Sequence, residues 1–296
     1  MAGALGVSER IDATGMSPRE LLIAERAVAA KHLERFPWGS LLWAALNLLV
    51  WLSLWPAVFA FGLPLWVAFP IACANIALCY LPSHEAQHSI FAKPGTRLRW
   101  LNELVGTLSA LPLAIPYRTL RATHMEHHKH ANDPALDPDY GIHAETSAGA
   151  LLAALRQRAP RGGQADDYRA CLERQGRTDL VVETALYEIV FYGVLFALAL
   201  SGHAIEAALL WWLPRHVGLV YILYYLSWAP HNPDLAKGRY RDTRSFRSWG
   251  GNLSSLGMQA HIVHHLYPRI PLLRTPAAYR EMRPLLEARG ARLDDH

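Results

Sequence analysis

Eight histidines fall into three short groups whose spacing suits metal binding. His84 and His88 close the first, His84-Glu85-Ala86-Gln87-His88. The second is His124-Met125-Glu126-His127-His128, and the third is His261-Ile262-Val263-His264-His265. On a helix, residues four apart share a face, with roughly 5–6 Å between their Cβ atoms. Each group can therefore aim paired imidazoles at one metal. The HxxHH spacing adds an i, i+3 pairing, and its adjacent histidines let one group reach two metals. Neutral imidazole suits iron, zinc, copper and nickel. With 15 histidines in 296 residues, about 0.04 HxxHH matches are expected by chance, and two occur; an excess of that kind warrants a mechanism.

Zinc is the rival metal. A closed zinc site takes four ligands, and the imidazoles here exceed that number. Zinc also lacks redox chemistry, so a pair of metals points to iron and oxygen. The first group reads as a zincin His pair, but no third ligand follows at metzincin spacing.

The elements that must position these groups are apolar. The chain is 52% hydrophobic and 18% charged, low in charge for a soluble domain. Ten Trp and twelve Tyr fit interfacial aromatic belts. Cys73, Cys79 and Cys171 form no metal, redox or disulfide pattern. A net charge of +4 gives no reason to expect nucleic acid; the basic residues flank apolar runs, where they meet lipid headgroups. The N-terminus lacks the basic-then-apolar order of a cleavable signal peptide.

In chain order, Ser17-Pro18-Arg19-Glu20 is a capping box with Pro at the first helical position. It opens an amphipathic helix over 17–36, with Leu21, Leu22, Val28 and Leu33 as its stripe. This helix lies on the membrane or is solvated before the first span. Residues 40–63 are uncharged and apolar, longer than the roughly 20 needed to cross a bilayer. Pro64 breaks the run, and 65–82 returns the chain to His84. Residues 101–117 are apolar but short, which predicts a re-entrant, interfacial or hairpin segment. Residues 140–177 are polar and read as a soluble insert, helical around 148–158 and 166–174 and broken at Gly162-Gly163. Two further spans, 180–201 and 205–228, are joined without Lys or Arg. Spans between groups thus come in returning pairs, and the charged segments share one side. That side is cytoplasmic by the positive-inside rule.

Some ionisable residues need separate readings. Glu188, Arg215 and His216 fall inside predicted spans and should face a cavity or each other, with Glu188–Arg215 as a candidate pair. His231, in Ala229-Pro230-His231-Asn232, emerges where the groups gather and is a ninth candidate ligand. His130 and His143 read as outer or surface residues. Glu85, Glu126, Asp133 and Asp137 are candidates for orienting imidazole N–H groups. Lys237, Arg239, Arg241, Arg244 and Arg247 form a basic strip that faces phospholipid or an acidic electron donor.

With these motifs in hand, the chain resembles the membrane fatty acid desaturase superfamily, nearest its β-carotene hydroxylase branch. The likeness rests on the three histidine groups, Asn132-Asp133-Pro134, Asp137-Pro138-Asp139, Pro230-His231-Asn232-Pro233, and the stretch from His261 to Pro271. The tail Pro276-Ala277-Ala278-Tyr279 and Arg283-Pro284-Leu285-Leu286 continues it. The resemblance implies an all-α integral membrane protein with a di-iron centre. Its ligands would be His84, His88, His124, His127, His128, His231, His261, His264 and His265. It implies molecular oxygen as co-substrate and electrons from a separate ferredoxin or similar donor.

The expected architecture is four main transmembrane helices, about 40–63, 65–82, 180–201 and 205–228, with a short re-entrant hairpin. A cytoplasmic cap at 140–178 and 231–296 carries the histidine boxes, and 1–38 is an N-terminal segment ahead of the 39–296 domain. The expected location is the inner membrane. The first reading is hydroxylation of a carotenoid, favoured by the short HxxxH form of the first box. Fatty acyl desaturation is the alternative on the same scaffold, and a non-enzymatic histidine-rich metal protein is the alternative of another class. Transporters bind at mid-membrane, whereas these boxes sit at span ends.

Overall fold

A computed structural model describes residues 11–33, 36–231, 237–246 and 250–293. The described residues fall into two compact units, one within Phe36–Leu235 and one drawn from Met1–Arg35 and Ala236–His296. Asn232, Pro233 and Arg247, singled out in the sequence, lie outside the described residues.

Three helices of the first unit are long and apolar enough to cross a membrane. They are α2 (Trp38–Phe59), α3 (Leu65–Gln87) and, later, α8 (Thr178–Leu200). The helix α1 (Pro18–His32) belongs to the other unit. Between α3 and α8 come α4 (Trp100–Ala110), α5 (Tyr117–His130), α6 (Ser147–Arg156) and α7 (Gln164–Arg174).

α3 is the centre of this unit and packs against α2, α4 and α5. Ala68, Ala72 and Ile76 are fully buried along it. Asn47 Nδ2 donates to the Asn75 carbonyl (3.1 Å), and Asn75 Nδ2 donates back to the Asn47 carbonyl (2.9 Å). In a low-dielectric surround such reciprocal bonds fix the register of α2 against α3.

The predicted fourth span is helical from Ala204 to His231 but not uniformly so. Short α-helices α9 (Ala204–Ala207), α10 (Leu213–Ile222) and α11 (Ala229–His231) are separated by wider π turns at Ala208–Trp212 and Leu223–Trp228. Each π turn runs up to a proline, Pro214 or Pro230. A proline has no N–H to give and crowds the carbonyl four residues back, so the preceding turn widens. Gly218 on α10 lies against Ile76 and the Ala77 amide; a Cβ there would come within 2.9 Å of the Ile76 side chain.

The short apolar run 101–117 forms a helix followed by a tight turn. α4 ends in a 3-10 turn at Leu111–Leu113, Ala114 takes a left-handed conformation, and α5 begins at Tyr117. Trp211 Nε1 donates to the Pro112 carbonyl and Arg215 Nε to the Leu113 carbonyl, at 2.9 and 2.6 Å. Arg215 also stacks over the Phe191 ring. The Glu188–Arg215 pair expected from the sequence is not formed among the described residues. The free carbonyls of the reversing chain meet the guanidinium instead.

The insert is helical where expected, and Gly162-Gly163 separates α6 from α7. It is less polar than its arginines suggested. α6 packs on α10 and leaves Leu151, Leu152 and Leu155 exposed.

In the other unit, α12 (Gly251–Ser255), α13 (His261–Leu266) and α14 (Thr275–Ala288) follow a two-residue strand β1 (Arg244–Ser245), which pairs in parallel with β2 (Arg292–Leu293). Ser17 caps α1 through the expected box. α1 packs on α14, burying Leu21, Val28 and Ala29 in a core with Met282, Leu285 and Leu286. Glu25 is fully buried there. It accepts from Arg289 Nε (2.8 Å) and from the hydroxyls of Tyr240 and Tyr267 (3.0 Å each).

Candidate metal centre

The first two histidine boxes meet because α3 continues past its apolar stretch and because α5 packs beside its end. His84 lies in the last turn of α3 and His88 is its C-cap. The Tyr117 hydroxyl, at the start of α5, donates to the Ala86 carbonyl between them at 2.9 Å. Arg121 Nε donates to the Gln87 carbonyl. Tyr117 can lie so close because residue 106 on α4 is glycine. A Cβ at Gly106 would fall 2.2 Å from the Tyr117 ring. Asn102 holds the chain after the box, accepting from the Phe91 amide and donating to the Ala92 carbonyl.

One ligand nitrogen from each of His84, His88, His124 and His128 lies within 4.8 Å of the others. His124 Nε2 is 2.8 Å from His88 Nε2 and 3.1 Å from His128 Nε2. A neutral imidazole has one lone pair to give, so ring nitrogens converging on one point suit a shared cation. Burial, then the neighbouring imidazoles, hold His124 and His128 well below the usual histidine range. They are therefore neutral near pH 7, the form that binds a metal.

His127, whose ring centroid lies 5.9 Å from that of His128, belongs to a second set. Its Nδ1 donates to Asp137 Oδ1 at 2.9 Å. A carboxylate only accepts, so the proton is on Nδ1 and Nε2 keeps its lone pair. His231, at the end of the helical run from Ala204, lies 4.7 Å from His127 between ring centroids, and a ligand nitrogen of each lies within 4.8 Å of the other. The unit thus presents two adjoining imidazole sets, His84/His88/His124/His128 and His127/His231. The donors suit a pair of transition metals. In the other unit, His261, His264 and His265 gather on α13, with ring centroids 4.7–5.8 Å apart. His261 Nδ1 lies 3.1 Å from Met258 Sδ.

Residues 63–296 match the family described as Fatty acid desaturase. The chain belongs to that family. Among curated members, it is 38% identical over 82 residues to the sn-1 oleoyl-lipid 12-desaturase of Anabaena variabilis, covering 26% of this chain and 22% of that one. It is 36% identical over 87 residues to the sn-1 oleoyl-lipid 12-desaturase of Synechocystis sp., 28% of this chain and 23% of that one. It is 32% identical over 72 residues to the sn-1 acyl-lipid omega-3 desaturase (ferredoxin) of Nostoc sp., 23% and 19%. The aligned segments therefore span only 19–23% of the length of these desaturases.

Of the carboxylates proposed to orient imidazoles in this family member, Asp137 does so. It also accepts from the amides of Asn132 and Asp139, each at 2.9 Å. Burial opposes its ionisation, but His127 and these donors keep the carboxyl below the usual range. Asp133 instead accepts from the Ala135 and Leu136 amides of its own loop. Glu126 pairs with His130 and Lys129, and Glu85 is buried. His143 stacks on Tyr140.

Asp139 carried no sequence-derived role, yet Asp139 Oδ2 lies 4.0 Å from His127 Nδ1. Burial, with Asp137 beside it, pushes its carboxyl above the usual range. The Tyr168 hydroxyl on α7 donates to it at 3.2 Å. Alternation across Pro138 was the available signal for Asp139. Tyr168 had none, because its role depends on α7 folding back on α5.

Proposed function

We propose that this chain oxidises the acyl chain of a membrane lipid, removing two hydrogens to leave a double bond. The observation that carries the reading is the pair of adjoining imidazole sets at the ends of α3, α5 and the helical run from Ala204, within a fatty acid desaturase family match. The third box, His261, His264 and His265, supplies the remaining ligands in this proposal. A bound pair of irons would supply the redox chemistry that lets oxygen attack an unactivated C–H bond.

The chain's own residues do the rest. Asp137 fixes the His127 tautomer, and buried Asp137 with half-buried Asp139 beside it balances the charge of bound cations. Burial of His84, His88, His124 and His127 keeps bulk water from the reacting carbon. In the balance, the substrate gives up two hydrogens. Oxygen takes these with two electrons and two protons and leaves as water. The electrons come from a separate donor; the printed name of the Nostoc relative supports a ferredoxin.

The curated relatives favour an acyl lipid over the carotenoid expected first. The helical run from Ala204 to His231 serves as the fourth span. Its connection to α8, and that between α2 and α3, contain no Lys or Arg, which supports placing the boxes on the cytoplasmic side of the inner membrane.

The test is expression in cells that make both β-carotene and unsaturable acyl lipids, followed by mass analysis. An acyl lipid two hydrogens lighter, absent with His128→Ala, supports the reading. One added oxygen on the pigment would instead assign carotenoid hydroxylation.

A further inference from the structure

A cavity of about 630 Å³ lies between α5, α7, α8 and α10, within the roughly 300–1,000 Å³ range of small-molecule sites. Ile115, Val181, Ala185, Tyr192 and Trp212 give it apolar walls. Its charges do not cancel. Arg169 is answered by Asp166 at 2.7 Å. Arg158 and Arg215 have no carboxylate within ion-pair distance among the described residues, although Glu188 lines the same space.

Arg158 Nη2 donates to the Gln157 carbonyl and Gln164 Oε1, while its buried Nε has no partner. Arg215 is 9% exposed and gives only Nε to the Leu113 carbonyl. Burial, and then Arg215, pull the Arg158 guanidinium down to about 10. A half-buried and a buried guanidinium facing one partly apolar cavity beside the candidate span α8 call for an anion.

We propose that this cavity binds the phosphate of a membrane phospholipid between Arg158 and Arg215, with the lipid's first carbons against the apolar walls. The guanidinium fork matches phosphate oxygens two at a time. Apolar walls beside the cations favour a lipid over free phosphate. A hydrogen-bonded line also joins the cavity to the metal centre. Arg158 donates to Gln164 (2.8 Å), Gln164 to Tyr168 (3.0 Å), and Tyr168 to Asp139 beside His127. The inference deepens the acyl-lipid reading, and rests on it only for the claim that the bound lipid is the one oxidised.

The test is native mass spectrometry of the full chain in neutral detergent, titrated with dioleoylphosphatidylglycerol and with dioleoylglycerol. The wild type should prefer the phosphate lipid, and Arg158→Gln should lose about tenfold or more of that preference with diacylglycerol binding unchanged. Arg215→Lys, which keeps the charge but not the fork, should lose less. Equal binding of both lipids by the wild type, or an unchanged preference in both variants, would overturn the proposal. So would displacement of the lipid by an equal concentration of inorganic phosphate. Retained preference without any acyl oxidation in cells would sink the desaturase reading and leave this site standing.

Discussion

His127 Nδ1 donates to Asp137 Oδ1 at 2.9 Å, with both side chains 4% exposed. This bond decides which nitrogen of His127 can hold a metal. Asp137→Asn keeps the size but puts an amide donor among the Asn132 and Asp139 amides. Iron retention should fall by about 10–100-fold, as for other partners behind a ligand, with helix content unchanged. Metal analysis after gel filtration and circular dichroism check both halves.

Gly106 and Tyr117 set the distance between the first two boxes. Gly106→Ala drives a methyl into the Tyr117 ring and should cost about 1–3 kcal/mol, as other overpacked sites do. Gly193 on α8 meets nothing within 4 Å, so Gly193→Ala should be neutral or slightly stabilising. Thermal unfolding in detergent compares the two.

The boxes were legible in the sequence because their chemistry is local. Helical spacing alone pairs His84 with His88 and His124 with His128, and apolar length alone marks α2, α3 and α8. Partners brought together by distant packing were not legible. Tyr168 reaches Asp139 because α7 packs on α5, and Arg215 meets Leu113 rather than Glu188 because the turn at Leu111–Leu113 leaves carbonyls to be satisfied. The π turns of the fourth apolar stretch follow from Pro214 and Pro230, visible in the sequence but not read there.

His128 and His130 give a paired contrast on one helix. His128 belongs to the imidazole cluster, whereas His130 Nε2 pairs with Glu126 at 3.0 Å, about a quarter exposed. His128→Ala should lose iron and all lipid oxidation. His130→Ala should keep both within about twofold, a surface change of about 0.5 kcal/mol or less.

Glu25 ties the unit that carries the third box. It is fully buried and accepts from Arg289, Tyr240 and Tyr267. Removing one side of a buried pair costs about 3–5 kcal/mol. Glu25→Ala should therefore loosen the α1–α14 packing, measured as lost hydrogen-exchange protection in α14. Unchanged protection there would contradict this.

We propose that these histidines hold a pair of irons. Elemental analysis of the purified, folded chain tests it most directly. Two irons per chain are expected, lost together in His128→Ala. A single zinc, or a folded chain that takes up no iron when loaded anaerobically, would contradict it.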